Sequence, residues 1–361
     1  MPLVGWDHIE LWVGNAKQCA HFYEHAFGFQ PVAYAGPETG VRDRASYVLE
    51  QGEIRLVVTS ALRPDHDVAR YAHVHGDGVK DAAFQVTDAS AAYGAALERG
   101  ARGVDEPRWV EDEHGRVELA SIATYGETVH SFVNREGYEG AYLPGYLAVD
   151  TGNGQPQLGI GLKLVDHVVG NVELGRMEHW VEFYERCLGF KELIHFSDEA
   201  ITTEYSALMS KVMTGGGGRF KLPINEPAEG KRKSQIDEYL EYYGGPGVQH
   251  IALATDDIVA TVDALRERGI RFLETPDAYY EDVGERVGEI GEDWSDVRRL
   301  RILADRDDEG YLLQIFTKTV QDRPTLFFEV IERHGAVGFG EGNFKALFEA
   351  IEREQALRGN L

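Results

Sequence analysis

At 361 residues the chain has room for two domains, each with its own core. Its 36 Lys and Arg face 61 Asp and Glu, a formal charge of −25, which repels phosphate backbones and anionic lipids and argues against nucleic-acid or membrane partners. The sequence has no run near the roughly 20 apolar residues of a membrane span, no signal-like N-terminus, and only two cysteines, Cys19 and Cys187, in apolar settings that suit buried reduced thiols, so a cytoplasmic protein is expected.

The chain opens with residues 6–29, WDHIELWVGNAKQCAHFYEHAFGF: an Asp-His pair in an apolar strand, a Gly-Asn turn and a helix-like segment. Two β-rich runs, 46–49 and 54–58, flank a Gly-containing turn and read as a hairpin. A second unit follows with a strand over 79–86, an Ala-rich helix over 89–99 stopped by Gly100, and strands over 116–122 and 128–135. Each unit reads β-α-β-β, with a third strand left unplaced. Residues 152–161, GNGQPQLGIG, are polar and Gly-rich and read as a linker between a domain over 1–151 and another over 162–361. With no strand before it and no helix after it, this stretch does not fit a nucleotide loop.

Residues 165–190, VDHVVGNVELGRMEHWVEFYERCLGF, repeat the opening motif about 160 positions later, so the domain is duplicated. The glycines at 215–218 suit a loose turn. A fourth unit begins at 247 with GVQHIAL, and its helix over 258–268 ends at Gly269, with DALRERGIR set against AALERGAR of the second unit. Beyond this plan, Phe344, Leu347, Phe348 and Ile351 recur at helical spacing within 343–358, after a Gly-rich GFGEG at 338–342 that could hinge. Such a helix either docks permanently or lids an opening, and its pattern does not choose between the two.

Three residues of the second half are candidate metal ligands. Alternation puts His167 on a face with Val165 and Val169, His250 with Val248, Ala252 and Ala254, and Glu329 with Phe327 and Ile331. An ionised carboxylate on an apolar face needs a cation or strong donors. His167 and His250 open successive units at equivalent positions, and pairing of those units brings them together. Two imidazoles and a carboxylate leave open positions on an octahedral metal, the arrangement of non-haem iron(II) that handles oxygen. In the first half His8 aligns with His167, but Asp81 stands in for His250 and no FFE-like strand follows. That copy is expected to lack a metal, with His8 a structural relic.

The motifs VDHVVGNV, LPINEP, KRKSQI, GPGVQHIAL, TPDAYY, LLQIFTK, DRPTLFFEVIERHG and GFGEGNFKALFEAIE together resemble the 4-hydroxyphenylpyruvate dioxygenase family of the vicinal-oxygen-chelate superfamily, over nearly the whole chain. The resemblance implies an α+β fold of duplicated βαβββ modules forming two open-barrel, glyoxalase-like domains plus a C-terminal helix. It implies Fe(II) on His167, His250 and Glu329, no further cofactor, and 4-hydroxyphenylpyruvate and O2 as substrates. By the same resemblance the 2-oxo acid group is expected to chelate the metal, with decarboxylation, ring hydroxylation and side-chain migration yielding homogentisate and CO2. Ser210, Asn225, Gln235 and Gln249 then match residues that position the phenol and ring, Gln314 lies beside the metal, Phe316 and Phe344 sandwich the ring, and Phe327 lines the pocket. Asn343 and Phe344 lie on the terminal helix, 343–358, which favours the lid.

A related 4-hydroxymandelate synthase, with the same substrate, typically has Thr and Ile where this chain has Asn225 and Phe344; both residues here are of the dioxygenase type. Glu341 departs from the Lys of many bacterial relatives. A metal-free small-molecule-binding protein on the same scaffold is a third reading, opposed by the complete triad. Association as a dimer or tetramer is expected.

Overall fold

Four βαβββ modules build two sheets, and the computed structural model describes residues 2–149, 159–196, 207–228 and 233–360. The first module is β1 (Leu3–Trp12), α1 (Ala16–Phe27), β2 (Gln30–Ala35), β3 (Arg44–Gln51) and β4 (Ile54–Ala61). After α2 (Asp67–His75) come β5 (Gly78–Val86), α3 (Ala89–Glu98), β6 (Gly103–Asp112), β7 (Gly115–Ala123) and β8 (Val129–Asn134), with a two-residue strand β9 (Leu147–Ala148). The third module runs β10 (Leu162–Asn171), α4 (Met177–Phe183) continued by a π turn over Tyr184–Leu188, β11 (Lys191–Phe196), β12 (Ala207–Gly215) and β13 (Phe220–Ala228). Following α5 (Gln235–Tyr243), the fourth has β14 (Gly247–Thr255), α6 (Ile258–Glu267), two inserted helices α7 (Tyr279–Val287) and α8 (Trp294–Leu300), β15 (Leu303–Arg306), β16 (Tyr311–Phe316) and β17 (Phe327–His334). Helix α9 (Phe344–Arg358) ends the chain.

Local chemistry repeats with the modules. Asn15 accepts from Gln18 N (3.1 Å) to start α1, and Asp88 and Asp257 cap α3 and α6 through Ala91 N (2.7 Å) and Ala260 N (2.9 Å). Gly28 and Gly189 end the first and third module helices, each at φ 73°, where a side chain would be strained.

The first sheet runs β6-β7-β8-β5-β1-β4-β3-β2-β9 and the second β11-β12-β13-β10-β14-β17-β16-β15. In each the opening strands of two modules pair antiparallel at the centre, β1 with β5 and β10 with β14. The unplaced strands are now assigned: β2 begins QP, and β6 is an edge strand exposed along most of its length, so neither shows alternation. The Pro-flanked INEP, a turn signal in isolation, lies inside β13.

Strict alternation fails at two places. Between Val165 and His167 strand β10 carries one extra residue, Asp166, and opposite Val169–Gly170 strand β14 carries Gln249 as the extra residue. Val165 and Val248 therefore pack into the main core, while His167 and His250 face the cavity of the curved sheet. The expectation that each histidine shares a face with the valine two residues before it is corrected by these bulges. The first sheet repeats both, at Asp7 and Lys80.

The main core crosses between the halves: Phe27 meets Phe328 (5.0 Å between centroids), and Trp6 and Phe84 each meet Phe220 at 5.1 Å. Cys187 is buried and donates to Arg99 O (3.3 Å), whereas Cys19 is only half-buried, against expectation; both are free thiols. Among the described residues no helix is long and apolar enough to cross a membrane. The linker expected over 152–161 lies, apart from 159–161, outside the described residues.

Candidate metal centre

β10 and β14 place His167 and His250 side by side, and β17, parallel to β14 with Glu329 opposite Ala252, adds the carboxylate. Glu329 Oε2 lies 3.0 Å from His167 Nε2 and 3.4 Å from His250 Nε2, and the possible ligand atoms of all three fall within 4.8 Å of one another. All three side chains are buried. The bulge residues hold the far nitrogens: Asp166 Oδ2 accepts from His167 Nδ1 (2.8 Å), and Gln249 Oε1 accepts from His250 Nδ1 (3.0 Å). With Nδ1 donating, each ring points its Nε2 at Glu329, and that nitrogen is a bare lone pair whenever the ring is neutral.

Burial pushes the Glu329 carboxyl up, but the facing His167 and His250 outweigh it and hold it down at about 2. Burial lowers both imidazoles. For His167 the Glu329 and Asp166 carboxylates reverse the sign and raise it, whereas for His250 burial prevails. Glu329 Oε1 is buried without a hydrogen-bond partner among the described residues. With Oε1 buried and unpaired and Oε2 facing the Nε2 atoms of both imidazoles, the carboxylate lacks a full set of partners, and a divalent cation held among the three groups supplies one. The donor set thus fits a metal with two nitrogen ligands and one carboxylate.

The cavity before this cluster gathers most of the expected substrate residues. Ser210 on β12 and Asn225 on β13 are opposite each other across the strand pair, and with Gln235 at the start of α5 and Gln249 they give one polar wall. Gln314, Phe316, Phe327 and Phe344 also line it, and Phe327 stacks on His250 at 4.7 Å and 20°. Helix α9 lays Phe344, Leu347, Phe348 and Ile351 across the opening, the four positions marked by helical spacing. Its far end is tied by Lys318 to Glu354 (2.7 Å) and by Arg358 to Glu238 (2.6 Å).

Asn343 is not in this wall. Its Oδ1 accepts from Tyr279 OH on α7 (2.6 Å), so its side chain anchors the start of α9. Three contributors escaped the sequence reading: Asp166, Phe339, which meets His167 edge-on at 5.0 Å, and Asn171, whose Oδ1 accepts from Asn225 Nδ2 (3.3 Å). The Asp-His pair recurring in both halves was the one available signal, for Asp166.

In the first half, His8 and Asp81 take the places of His167 and His250, and the β5–β8 register puts Ser131 where Glu329 stands. Asp81 accepts from Ser131 N (3.0 Å) and Ser131 Oγ, a pairing closed within the protein.

Several curated proteins resemble this chain over nearly its whole length. The 4-hydroxyphenylpyruvate dioxygenase of Aspergillus fumigatus is 49% identical over 99% of this chain and 94% of that protein, and that of Dictyostelium discoideum is 50% identical over 99% and 100%. The chain belongs to the 4-hydroxyphenylpyruvate dioxygenase family. The zebrafish (Danio rerio) member is 50% identical, over 99% of this chain and 92% of its own. The family description "Hydroxyphenylpyruvate dioxygenase, HPPD, N-terminal" matches residues 1–143, and "Glyoxalase/Bleomycin resistance protein/Dioxygenase superfamily" matches 164–315. Among solved structures, a triple mutant of 4-hydroxymandelate synthase from Streptomyces coelicolor superposes with a TM-score of 0.88 at 37% identity, covering 98% of this chain and all of that one. The duplicated glyoxalase-like fold expected of the dioxygenase family is the fold observed.

Proposed function

We propose that this enzyme converts 4-hydroxyphenylpyruvate and O2 to homogentisate and CO2, with Fe(II) held by His167, His250 and Glu329. The observation that carries the metal reading is the buried triad whose Glu329 Oε1 is left unpaired. Family membership at 45–50% identity over nearly the full chain supports the reaction. Iron(II) supplies oxygen activation and open positions for a 2-oxo acid chelate.

The chain's own residues do the rest. Asp166 and Gln249 keep the two imidazoles in the tautomer that can ligate. Phe316, Phe327 and Phe344 give the ring an apolar slot, and Ser210, Asn225, Gln235 and Gln249 offer hydroxyl and amide partners to the phenol and its surroundings. Gln314 stands near the metal end. Helix α9, over 343–358, acts as a lid that excludes water, and Asn343 holds its root to Tyr279. In this reading residues 1–151 form a domain without metal, 152–161 a linker and 162–361 the catalytic domain.

Incubation with Fe(II), O2 and 4-hydroxyphenylpyruvate, followed by chromatographic identification of the product, tests the proposal. Homogentisate is expected. 4-Hydroxymandelate as the main product would instead favour the second reading, a synthase like the S. coelicolor protein of the same fold. The proposal includes a cytoplasmic location and a dimer or tetramer, the latter read by light scattering.

A further inference from the structure

One side-chain arrangement occurs twice, once with the triad and once without. In the second half Asp166, the extra residue of the β10 bulge, accepts from His167 Nδ1 (2.8 Å), Arg333 Nε and Nη2 (2.9 Å each) and Lys221 Nζ (3.0 Å). Arg333 Nη1 donates to Ala336 O (3.2 Å) and Gly338 O (2.6 Å), and its guanidinium lies 5.4 Å from the ring of Phe339. In the first half Asp7 accepts from His8 Nδ1 (2.7 Å) and from Arg135 Nε and Nη2 (2.7 Å each). Arg135 Nη1 donates to Tyr142 O, and the Tyr142 ring, 5.2 Å from that guanidinium, meets His8 edge-on at 5.7 Å. Arg135 and Arg333 each lie four residues beyond the equivalent positions Ser131 and Glu329.

We propose that Asp166 and Arg333 are positioning residues of the metal centre, a proposal that rests on the reading of the triad as a metal site. A carboxylate can only accept, so Asp166 fixes the Nδ1–H tautomer of His167 and leaves Nε2 bare toward Glu329. An amide there keeps one acceptor oxygen and turns an NH2 toward either His167 or the Arg333 and Lys221 donors, so it cannot accept from all of them. Arg333 fixes the direction of the carboxylate through a bidentate fork that a Lys cannot reproduce. Asp166 also offsets the charges of Arg333 and Lys221, two cations that would otherwise oppose a metal ion beside His167. The first-half copy shows that the clamp belongs to the fold as well, joining the opening strand of one module to the closing strand of the next. It therefore supplies a control: its loss carries the structural cost without touching the triad.

The test titrates the purified, metal-stripped full-length protein with Co(II), followed by absorption against a competing chelator, beside thermal unfolding of the metal-free form. Asp166→Asn is expected to weaken Co(II) binding about 10–100-fold, and Arg333→Lys about tenfold. Asp7→Asn is expected to lower the unfolding temperature of the metal-free protein while leaving Co(II) affinity within about twofold of wild type. Unchanged Co(II) affinity in Asp166→Asn overturns the proposal, as does an Asp7→Asn variant that loses as much affinity. Should Asp166→Asn not fold, unchanged affinity in Arg333→Lys overturns it instead. Glu329→Gln, titrated in parallel, separates the two levels: if it takes up Co(II) as wild type does, the triad reading itself fails, and the clamp with it.

Discussion

Replacing Asp81 with Asn should stabilise the protein at neutral pH. Asp81 sits where the second half has His250, and burial pushes its carboxyl up from the usual 3.8 to about 6, only partly offset by His8 and Ser131. Because the folded state binds this proton more tightly than the unfolded chain, stability is lost as pH rises from 3.8 through about 6. At pH 7.5 the ionised group costs up to about 3 kcal/mol relative to an unperturbed carboxyl. Asparagine is isosteric, still accepts from Ser131 N and can donate to Ser131 Oγ, so it keeps the local bonds and removes the charge. Urea unfolding of wild type and Asp81→Asn at several pH values from 4 to 8 measures the difference. The variant should gain about 1–3 kcal/mol above pH 7, with the gain vanishing toward pH 4. A stability difference that does not change with pH, or a variant less stable than wild type at pH 7.5, would refute the reasoning.

Other outcomes follow from the same geometry. Glu329→Gln should lower metal affinity by more than about 100-fold, beyond the effect of losing an orienting partner, whereas His8→Ala should bind metal as wild type does; both are read by metal titration. Gly340→Ala should cut turnover about 10–100-fold while leaving metal affinity intact, because Gly340 sits at φ 75° and an added Cβ would lie 2.2 Å from Gln314 Nε2; kinetics and titration together check this. Phe328→Ala should destabilise the protein by about 3–5 kcal/mol in denaturant unfolding, since its fully buried ring meets Tyr23 at 5.7 Å and Phe27 at 5.0 Å across the halves.

The duplication was legible because the opening strand, turn and helix keep the same residues in both copies, and the triad because an acid and two histidines on apolar strands have few other uses. What stayed hidden depends on pairing. The bulges at Asp166 and Gln249 exist only relative to the partner strand, so no local pattern distinguishes them from plain alternation, which puts the valines before the histidines on the wrong face. Strand β6 has water along most of its length and therefore no periodicity to read. The terminal helix was found by spacing, yet spacing could not show that Asn343 turns to Tyr279, a partner that arrives on an inserted helix 64 residues earlier. Phe339 lies in a Gly-rich stretch whose pattern suggests only a hinge, and nothing local shows that its ring meets both His167 and the Arg333 guanidinium.

The aromatic seam between the halves has a consequence for how the chain can be divided. Phe27 and Phe328 are fully buried, and Phe84 and Phe220 likewise, and each pair joins a ring of one half to a ring of the other. Separating the halves would leave each with these rings exposed as an apolar flank that invites precipitation. The first half thus serves as a permanent cover for the apolar flank of the sheet that carries His167, His250 and Glu329.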